Sequence, residues 1–132
     1  RTRAPWPLVP NTLVLAATLL AASWSHALTI MPYSSEAFAK LQTTGAPVAL
    51  HFHADWCPTC RAQAKSLDAL KADPSLQLTV LSVDYDKETT LKKPLNVRSQ
   101  STFIVFRGVA EKARQIGETA PDAIRKTLGA AL

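Results

Sequence analysis

The sequence predicts an α/β domain in which a mixed central β-sheet is flanked by helices on both faces. Short apolar runs of strand length alternate with segments whose apolar residues recur at helical spacing. Strands separated by helices pair in parallel, whereas the tight turn at Arg107-Gly108 joins the last two strands as an antiparallel hairpin. The sheet is therefore expected to contain both kinds of pairing.

Eight elements are predicted along residues 34–132. In chain order they are helix 34–41, strand 48–54, helix 58–71, strand 76–85, helix 87–93, strand 102–106, strand 110–116 and a last helix that begins at Thr119. The first helix begins with two good N-cap residues, Ser34 and Ser35, and Gly45-Ala46-Pro47 breaks it. The strand of residues 76–85 becomes nearly all apolar, as buried parallel strands do.

Prolines mark the boundaries of the other helices. Pro58 fits the first turn of the second helix, where the missing N–H of proline costs nothing, and Asp73-Pro74 ends that helix. Pro94 stops the short third helix. In the last helix the pattern Thr119-x-x-Asp122 predicts a capping box, with Pro121 in the first turn.

Composition excludes several classes of protein. The 132 residues are enough for one domain, and with 47% hydrophobic and 19% charged residues the chain is neither disordered nor collagen-like. Lysines and arginines form no stripe interleaved with aromatic residues, so nucleic-acid binding is not expected. The chain has only two cysteines, and both belong to a single motif, so no separate structural disulfide is available.

The first segment has the layout of a secretory signal peptide. It opens with Arg1 and Arg3, has no acidic residue before Glu36, and continues into an apolar run at residues 13–22. Small residues then occupy the first and third places of Ser25-His26-Ala27, as at a cleavage site. The apolar run is shorter than the roughly 20 residues that a membrane-spanning helix needs.

We therefore expect two regions, a signal peptide at residues 1–27 and the folded domain at residues 28–132. Cleavage would place the domain in the periplasm or outside the cell, and the alternative is a domain anchored by an uncleaved N-terminal segment. Removal of the leader lowers the count of basic residues from 15 to 13 and leaves the 10 acidic residues. The net charge would then fall from +5 to +3.

The motif Trp56-Cys57-Pro58-Thr59-Cys60 places two thiols at the start of a predicted helix. This spacing brings the two sulfurs together on one turn, where they can open and close a disulfide. The positive end of the helix and its free N–H groups stabilise a thiolate on Cys57. A Cys-x-x-Cys motif between a buried strand and an amphipathic helix is typical of redox proteins.

Over nearly all of residues 30–132 the chain resembles thioredoxin-like proteins. The resemblance rests on the active-site segment 54–60, on the central strand and following acid at residues 78–86, and on the segment Thr102–Gly108 followed by Gly117. It implies a thioredoxin-like fold and a thiol–disulfide oxidoreductase.

By the same resemblance Cys57 is the exposed attacking thiol and Cys60 the resolving thiol. The implied partners are protein thiols or disulfides. We expect a monomer with a membrane redox partner, and no cofactor apart from the Cys57–Cys60 disulfide.

Ser101 stands where the family usually has a cis-proline that faces the two thiols. A cis bond before a residue other than proline would cost about 2.5–4 kcal/mol, so we expect a trans bond before Ser101. Its hydroxyl and N–H groups, which proline lacks, can still approach the cysteines.

His51 stands where thioredoxins proper have a buried aspartate. By analogy its imidazole is a candidate proton acceptor for Cys60, and a protonated His51 would favour the Cys57 thiolate. Burial opposes that charge and lowers the pKa of a histidine. A neutral core histidine with one hydrogen bond is the other interpretation, and the sequence leaves both open.

His53 follows on the same face of the strand as His51, because side chains two residues apart share a face. These two histidines with Cys57 and Cys60 form a possible ligand set for zinc or copper. The alternative function is therefore a metal-binding protein of the same fold. We favour the redox interpretation without a metal, in which His53 takes the place of a tryptophan of the family.

Substrate contacts are expected around the motif and the loop that faces it. The predicted contact residues are Trp56, Pro58, Thr59, Ser101 and Thr102, arranged around a shallow groove. The neighbouring carboxylates are expected to be solvated surface groups: Asp55, Asp84 and Asp86.

Overall fold

The structure is a computed structural model that describes residues 2–7 and 27–132. The described residues form five strands and four helices: β1 (Leu28–Pro32), α1 (Ser35–Thr43), β2 (Pro47–His53), α2 (Pro58–Leu70), β3 (Leu78–Asp84), α3 (Thr89–Lys92), β4 (Thr102–Arg107), β5 (Ala110–Ile116) and α4 (Pro121–Gly129). Most of the predicted signal peptide, residues 1–27, lies outside the described residues. In the described part of the chain, none of the helices has the length and apolarity that a membrane span requires.

The five strands form one mixed sheet in the order β1-β3-β2-β4-β5. β1, β3 and β2 run parallel, whereas β4 pairs antiparallel with both β2 and β5. The β4–β5 hairpin turns at Gly108, whose φ of 58° lies in the left-handed region that glycine adopts without strain. The predicted mixed sheet is confirmed, but the parallel direction expected for β4 is wrong, because β4 pairs antiparallel with β2 rather than parallel with β3.

Helices cover both faces of the sheet, as predicted. Successive residues of β2 point to opposite faces and contribute to two apolar cores. On one face Ala49 packs with Leu67 of α2 and Ile124 of α4. On the other face Leu50 packs with Phe38 of α1. β2 is therefore enclosed on both sides, and the segment that follows it starts from a rigid position.

The sequence pattern does not predict β1. Three of its five residues are exposed, it ends in a proline, and it pairs with only one neighbour, β3, at the edge of the sheet. A short edge strand of this kind has neither a long apolar run nor a full polar alternation. Its stability comes from pairing with β3, which depends on the tertiary structure.

The predicted capping box of α4 is not formed. The helix begins at Pro121 with Ala120 as its N-cap residue, and no side chain caps it. The carbonyl oxygen of Thr119 instead accepts a hydrogen bond from Ser66 of α2. Thr119 therefore joins α4 to α2, and Pro121 occupies the first helical position that its fixed φ favours.

Candidate active site

The two cysteines lie where β2 leads into α2. Cys57 is the N-cap residue of α2, and its sulfur accepts a hydrogen bond from the N–H group of Cys60 at 3.2 Å. Pro58 follows at the start of the helix, as predicted. A turn closed by the Cys57 N–H and the Ala54 carbonyl oxygen, 3.0 Å apart, sets the direction in which the helix leaves the sheet. The Cys57 sulfur thus receives the free N–H groups of a helix start.

Both cysteines are free thiols and both contact Ser101. The hydroxyl oxygen of Ser101 lies 3.3 Å from the sulfur of Cys57 and 3.1 Å from the sulfur of Cys60. Cys57 is only 3% exposed and Cys60 is completely buried. The expectation of an exposed Cys57 is therefore wrong, because the motif lies under the Ser101 loop rather than on an open surface.

The two thiols have opposite pKa shifts. Burial raises the pKa of Cys57, but hydrogen bonds from Cys60, from the Ser101 hydroxyl and from the N–H groups of Cys60 and Thr59 bring it below its ordinary value. The pKa of Cys60 is raised, first by burial and then by its hydrogen bond to Cys57. Cys57 is therefore the first of the two to become a thiolate.

Three hydrogen bonds to the backbone N–H and carbonyl groups of Ser101 hold it in place. Its N–H group donates to the carbonyl oxygen of Phe52 at 2.8 Å, and its own carbonyl oxygen accepts from Gln63 and Gly117, each at 3.0 Å. The residue has a φ of 63°, and the peptide bond before it is trans, as predicted. The loop therefore reaches the cysteines by a left-handed turn instead of a cis peptide bond.

His51 is buried and bonded to Gln63. Its Nε2 atom lies 2.9 Å from Oε1 of Gln63, whose Nε2 group donates to the carbonyl oxygens of Ser101 and Glu118. Because the amide group of Gln63 uses its hydrogens on two carbonyl oxygens, its oxygen faces His51 and the imidazole carries its proton on Nε2. The ring stacks on Phe103 with the centroids 4.3 Å apart.

The imidazole of His51 is neutral at pH 7. Burial lowers its pKa to about 4, the hydrogen bond with Gln63 opposes that shift, and His53 adds to it. The Nε2 hydrogen bond goes to Gln63 and not to a thiol. His51 therefore supplies no positive charge to Cys57, and it reaches the cysteines only through Gln63 and Ser101.

Gln63 is not among the predicted site residues, although its position in the sequence indicates that it is buried. It lies three residues after Cys60 and four before Leu67, so it falls on the buried face of α2. A glutamine on the buried side of a helix that starts with an active-site motif needs hydrogen-bonding partners inside the protein. Its partners here are His51, Ser101 and Glu118, which local sequence does not indicate.

The structure does not assemble the alternative metal site. His53 does share a face with His51, their ring centroids being 5.5 Å apart, but its Nε2 atom lies 3.0 Å from a carboxylate oxygen of Asp55. The Nε2 atom of His51 is taken by Gln63. Within residues 2–7 and 27–132, no three or more His, Cys, Asp or Glu side chains are placed to hold a metal ion.

Trp56 borders an open cleft of about 330 Å³ at the ends of β2 and β3. The indole is 59% exposed, and its N–H group donates to Asp86 at 2.8 Å. The cleft is lined by His53, Ala54, Asp55, Trp56, Ser82, Val83, Asp84 and Asp86. Three of these residues are acidic, so the surface beside the motif is negatively charged.

The predicted contact residues around the motif differ in exposure. Pro58 is exposed and Thr59 is half-buried, but Ser101 is buried. Thr102 is only 1% exposed and donates its hydroxyl group to the carbonyl oxygen of Ser99. The structure therefore leaves Thr102 unavailable as a surface contact, because β4 begins there between its two neighbours β2 and β5.

The family model for thioredoxin matches residues 29–130, nearly all of the folded domain. The chain belongs to the thioredoxin family. The crystal structure titled Trxlp, from Edwardsiella tarda EIB202, is 40% identical with a TM-score of 0.72. That match covers 76% of this chain and 98% of the other.

Two thioredoxin relatives illustrate the range of similarity. A thioredoxin of Mycolicibacterium smegmatis is 33% identical over 88 residues, which cover 65% of this chain and 79% of that protein. A bifunctional thioredoxin reductase/thioredoxin of Mycobacterium leprae is 29% identical over 101 residues, which cover 76% of this chain. This chain spans 22%, 39% and 62% of the length of three curated relatives.

Replacement of Ser101 by proline should destabilise this thioredoxin-family domain. Proline has a φ near −65° and no N–H group, whereas Ser101 has a φ of 63° and donates to Phe52. We expect Ser101→Pro to lower the free energy of unfolding by about 2–4 kcal/mol in urea denaturation. Ser101→Gly keeps both the backbone angle and the donor, so it should lose less. Equal stability of Ser101→Pro and the wild type would contradict this account.

Acidification should destabilise the folded state through His51. The unfolded imidazole takes up a proton near pH 6.5, but the folded one does so only near pH 4, so protons favour the unfolded state between these values. We expect this group to remove about 3 kcal/mol of stability between pH 7 and pH 4. His51→Gln keeps an N–H donor without titrating and should lose less stability over that range. Identical pH dependence of urea denaturation in both proteins would overturn the assignment.

Proposed function

We propose that the chain is an exported thiol–disulfide oxidoreductase in which Cys57 attacks a substrate disulfide and Cys60 resolves the product. The observation that carries this proposal is the asymmetry of the two thiols. Cys57 caps α2 and has a lowered pKa, whereas Cys60 is completely buried and has a raised pKa. An oxidoreductase needs one thiolate ready to attack and one thiol held in reserve.

The reaction proceeds through two exchanges. The Cys57 thiolate attacks one sulfur of the substrate disulfide, forms a mixed disulfide and releases a substrate thiolate, which takes up a proton. Cys60 then loses its proton and attacks the Cys57 sulfur. The Cys57–Cys60 disulfide forms, and the second substrate thiolate leaves and is protonated. Two electrons pass from the dithiol to the substrate, and the same steps run in reverse when the protein acts as an oxidant.

The reduction potential of the Cys57–Cys60 couple decides the direction of the reaction. A value of about −270 mV would identify a reductant, and a value of about −120 mV an oxidant. Equilibration of the protein with glutathione buffers of known composition measures this value.

The exposed surface beside the motif is the proposed contact area for protein thiols and disulfides. Trp56 provides an exposed aromatic face, and the adjacent cleft places Asp55 and Asp86 at its rim. Cys57 is 3% exposed, so a substrate must approach along Trp56 and the exposed Pro58. Monomeric state and a membrane redox partner remain predictions.

Export is supported by the residue pattern of the first 27 positions. Two arginines, a short apolar run and a small-x-small site follow one another in the order of a cleaved signal peptide. We propose that the folded domain works in the periplasm or outside the cell, where disulfides form and persist. An uncleaved anchor is the competing arrangement.

Replacement of each cysteine by serine should separate the two roles. We expect Cys57→Ser to abolish reduction of the disulfides of insulin, because the attacking thiolate is lost. Cys60→Ser should instead accumulate a mixed disulfide with the substrate, visible on non-reducing gels and released by dithiothreitol. Full catalytic cycling by Cys60→Ser would contradict the assignment of Cys60 as the resolving thiol.

Cleavage of the leader should be visible in the product isolated from a Gram-negative host. The chain, expressed behind an initiator methionine, is expected to yield periplasmic protein whose sequence begins at Leu28. Ala27→Arg places a large residue at the cleavage site and should leave the longer form. Wild-type protein that keeps residues 1–27 and fractionates with membranes would favour the anchor instead.

A further inference from the structure

The hydroxyl group of Ser101 lies between the two sulfurs that react in the proposed function. Its distances to Cys57 and Cys60, 3.3 Å and 3.1 Å, are both within the range of hydrogen bonds to sulfur. A serine hydroxyl has one hydrogen and two lone pairs, so it can donate to one sulfur and accept from the other at once.

The backbone conformation that positions this hydroxyl is strained. Ser101 has a φ of 63°, a value that residues other than glycine and asparagine adopt rarely. Its N–H and carbonyl groups are bonded to Phe52, Gln63 and Gly117. Strained residues that the surrounding structure holds firmly occur preferentially at active sites. Here the strained residue places its hydroxyl oxygen within hydrogen-bond distance of both sulfurs.

We propose that Ser101 is a catalytic residue of the exchange reaction, whose hydroxyl donates to the Cys57 thiolate. This inference rests on the proposed function. The hydroxyl keeps its own proton throughout. It stabilises the negative charge on the attacking sulfur, to which the S–H group of Cys60 also donates.

The direction of this hydrogen bond follows from the surroundings of the sulfurs. The Cys57 sulfur already accepts the N–H group of Cys60 at the start of α2, so negative charge is favoured there. Cys60 is completely buried, and a charge on it would lose contact with water. The Ser101 hydroxyl lowers the pKa of Cys57, as donation to that sulfur requires. It also lowers the pKa of Cys60, but burial and the hydrogen bond to Cys57 outweigh this effect and leave the pKa of Cys60 raised.

Two substitutions separate the hydroxyl from the backbone strain. Ser101→Gly removes the oxygen and relieves the strain, whereas Ser101→Ala removes the oxygen and keeps the strain. The measurement is the pH dependence of Cys57 alkylation by iodoacetamide in the reduced full chain, with the ultraviolet absorbance of the thiolate as a second readout. Cys57→Ser identifies the signal of Cys57. Urea denaturation shows whether each variant is folded.

We expect both variants to raise the pKa of Cys57 by about one unit, so that alkylation below the pKa slows about tenfold. An unchanged pKa in both variants would overturn the proposal. A shift in only one variant would also overturn it, since strain rather than the hydroxyl would then be responsible. Failure of the wild type to exchange any disulfide would instead contradict the proposed function, because the alkylation measurement requires no substrate.

Discussion

The backbone of Ser101 is the point where three parts of the fold meet beside the two thiols. Its N–H group bonds to Phe52 in the central strand, and its carbonyl oxygen bonds to Gln63 of α2 and to Gly117 beyond β5. A left-handed residue other than glycine costs about 1–3 kcal/mol, and these bonds hold it in that conformation. The spacing of the hydroxyl from both sulfurs depends on this arrangement, and so does the burial of Cys57.

The groups beneath the thiols form a neutral polar network. His51 bonds to Gln63, and Gln63 bonds to the carbonyl oxygens of Ser101 and Glu118, so every buried hydrogen of that amide has a partner. A charged group in this place would lose its hydration, and the lowered pKa of His51 reflects that cost. The thiolate of Cys57 is therefore stabilised by N–H and O–H dipoles.

Periodicity and motif spacing predicted most of the fold. The parallel β2–α2–β3 crossover, the β4–β5 hairpin and the start of α2 at Pro58 follow from patterns within short stretches of chain. The parallel direction expected for β4 is wrong, because β4 pairs with β2, which is not its neighbour in the sequence. The edge strand β1 was missed because its pairing with β3 is non-local. The capping box predicted at Thr119 is wrong, because α4 begins at Pro121 and Ala120 occupies the N-cap position. Thr102 was placed at the surface because sequence alone does not show that β4 starts inside the sheet.

The sequence by itself determined the chemistry available, since two cysteines three residues apart at a strand-to-helix junction form a redox pair in any fold that keeps that junction. The tertiary structure decided how that pair is tuned. Ser101 and Cys57 are 44 residues apart, Gln63 and Ser101 are 38 apart, and Trp56 and Asp86 are 30 apart. These contacts exist only because the sheet order places the ends of β2 and β3 and the start of β4 next to one another. A backbone angle such as that of Ser101 is imposed by those neighbours and not by the local residues.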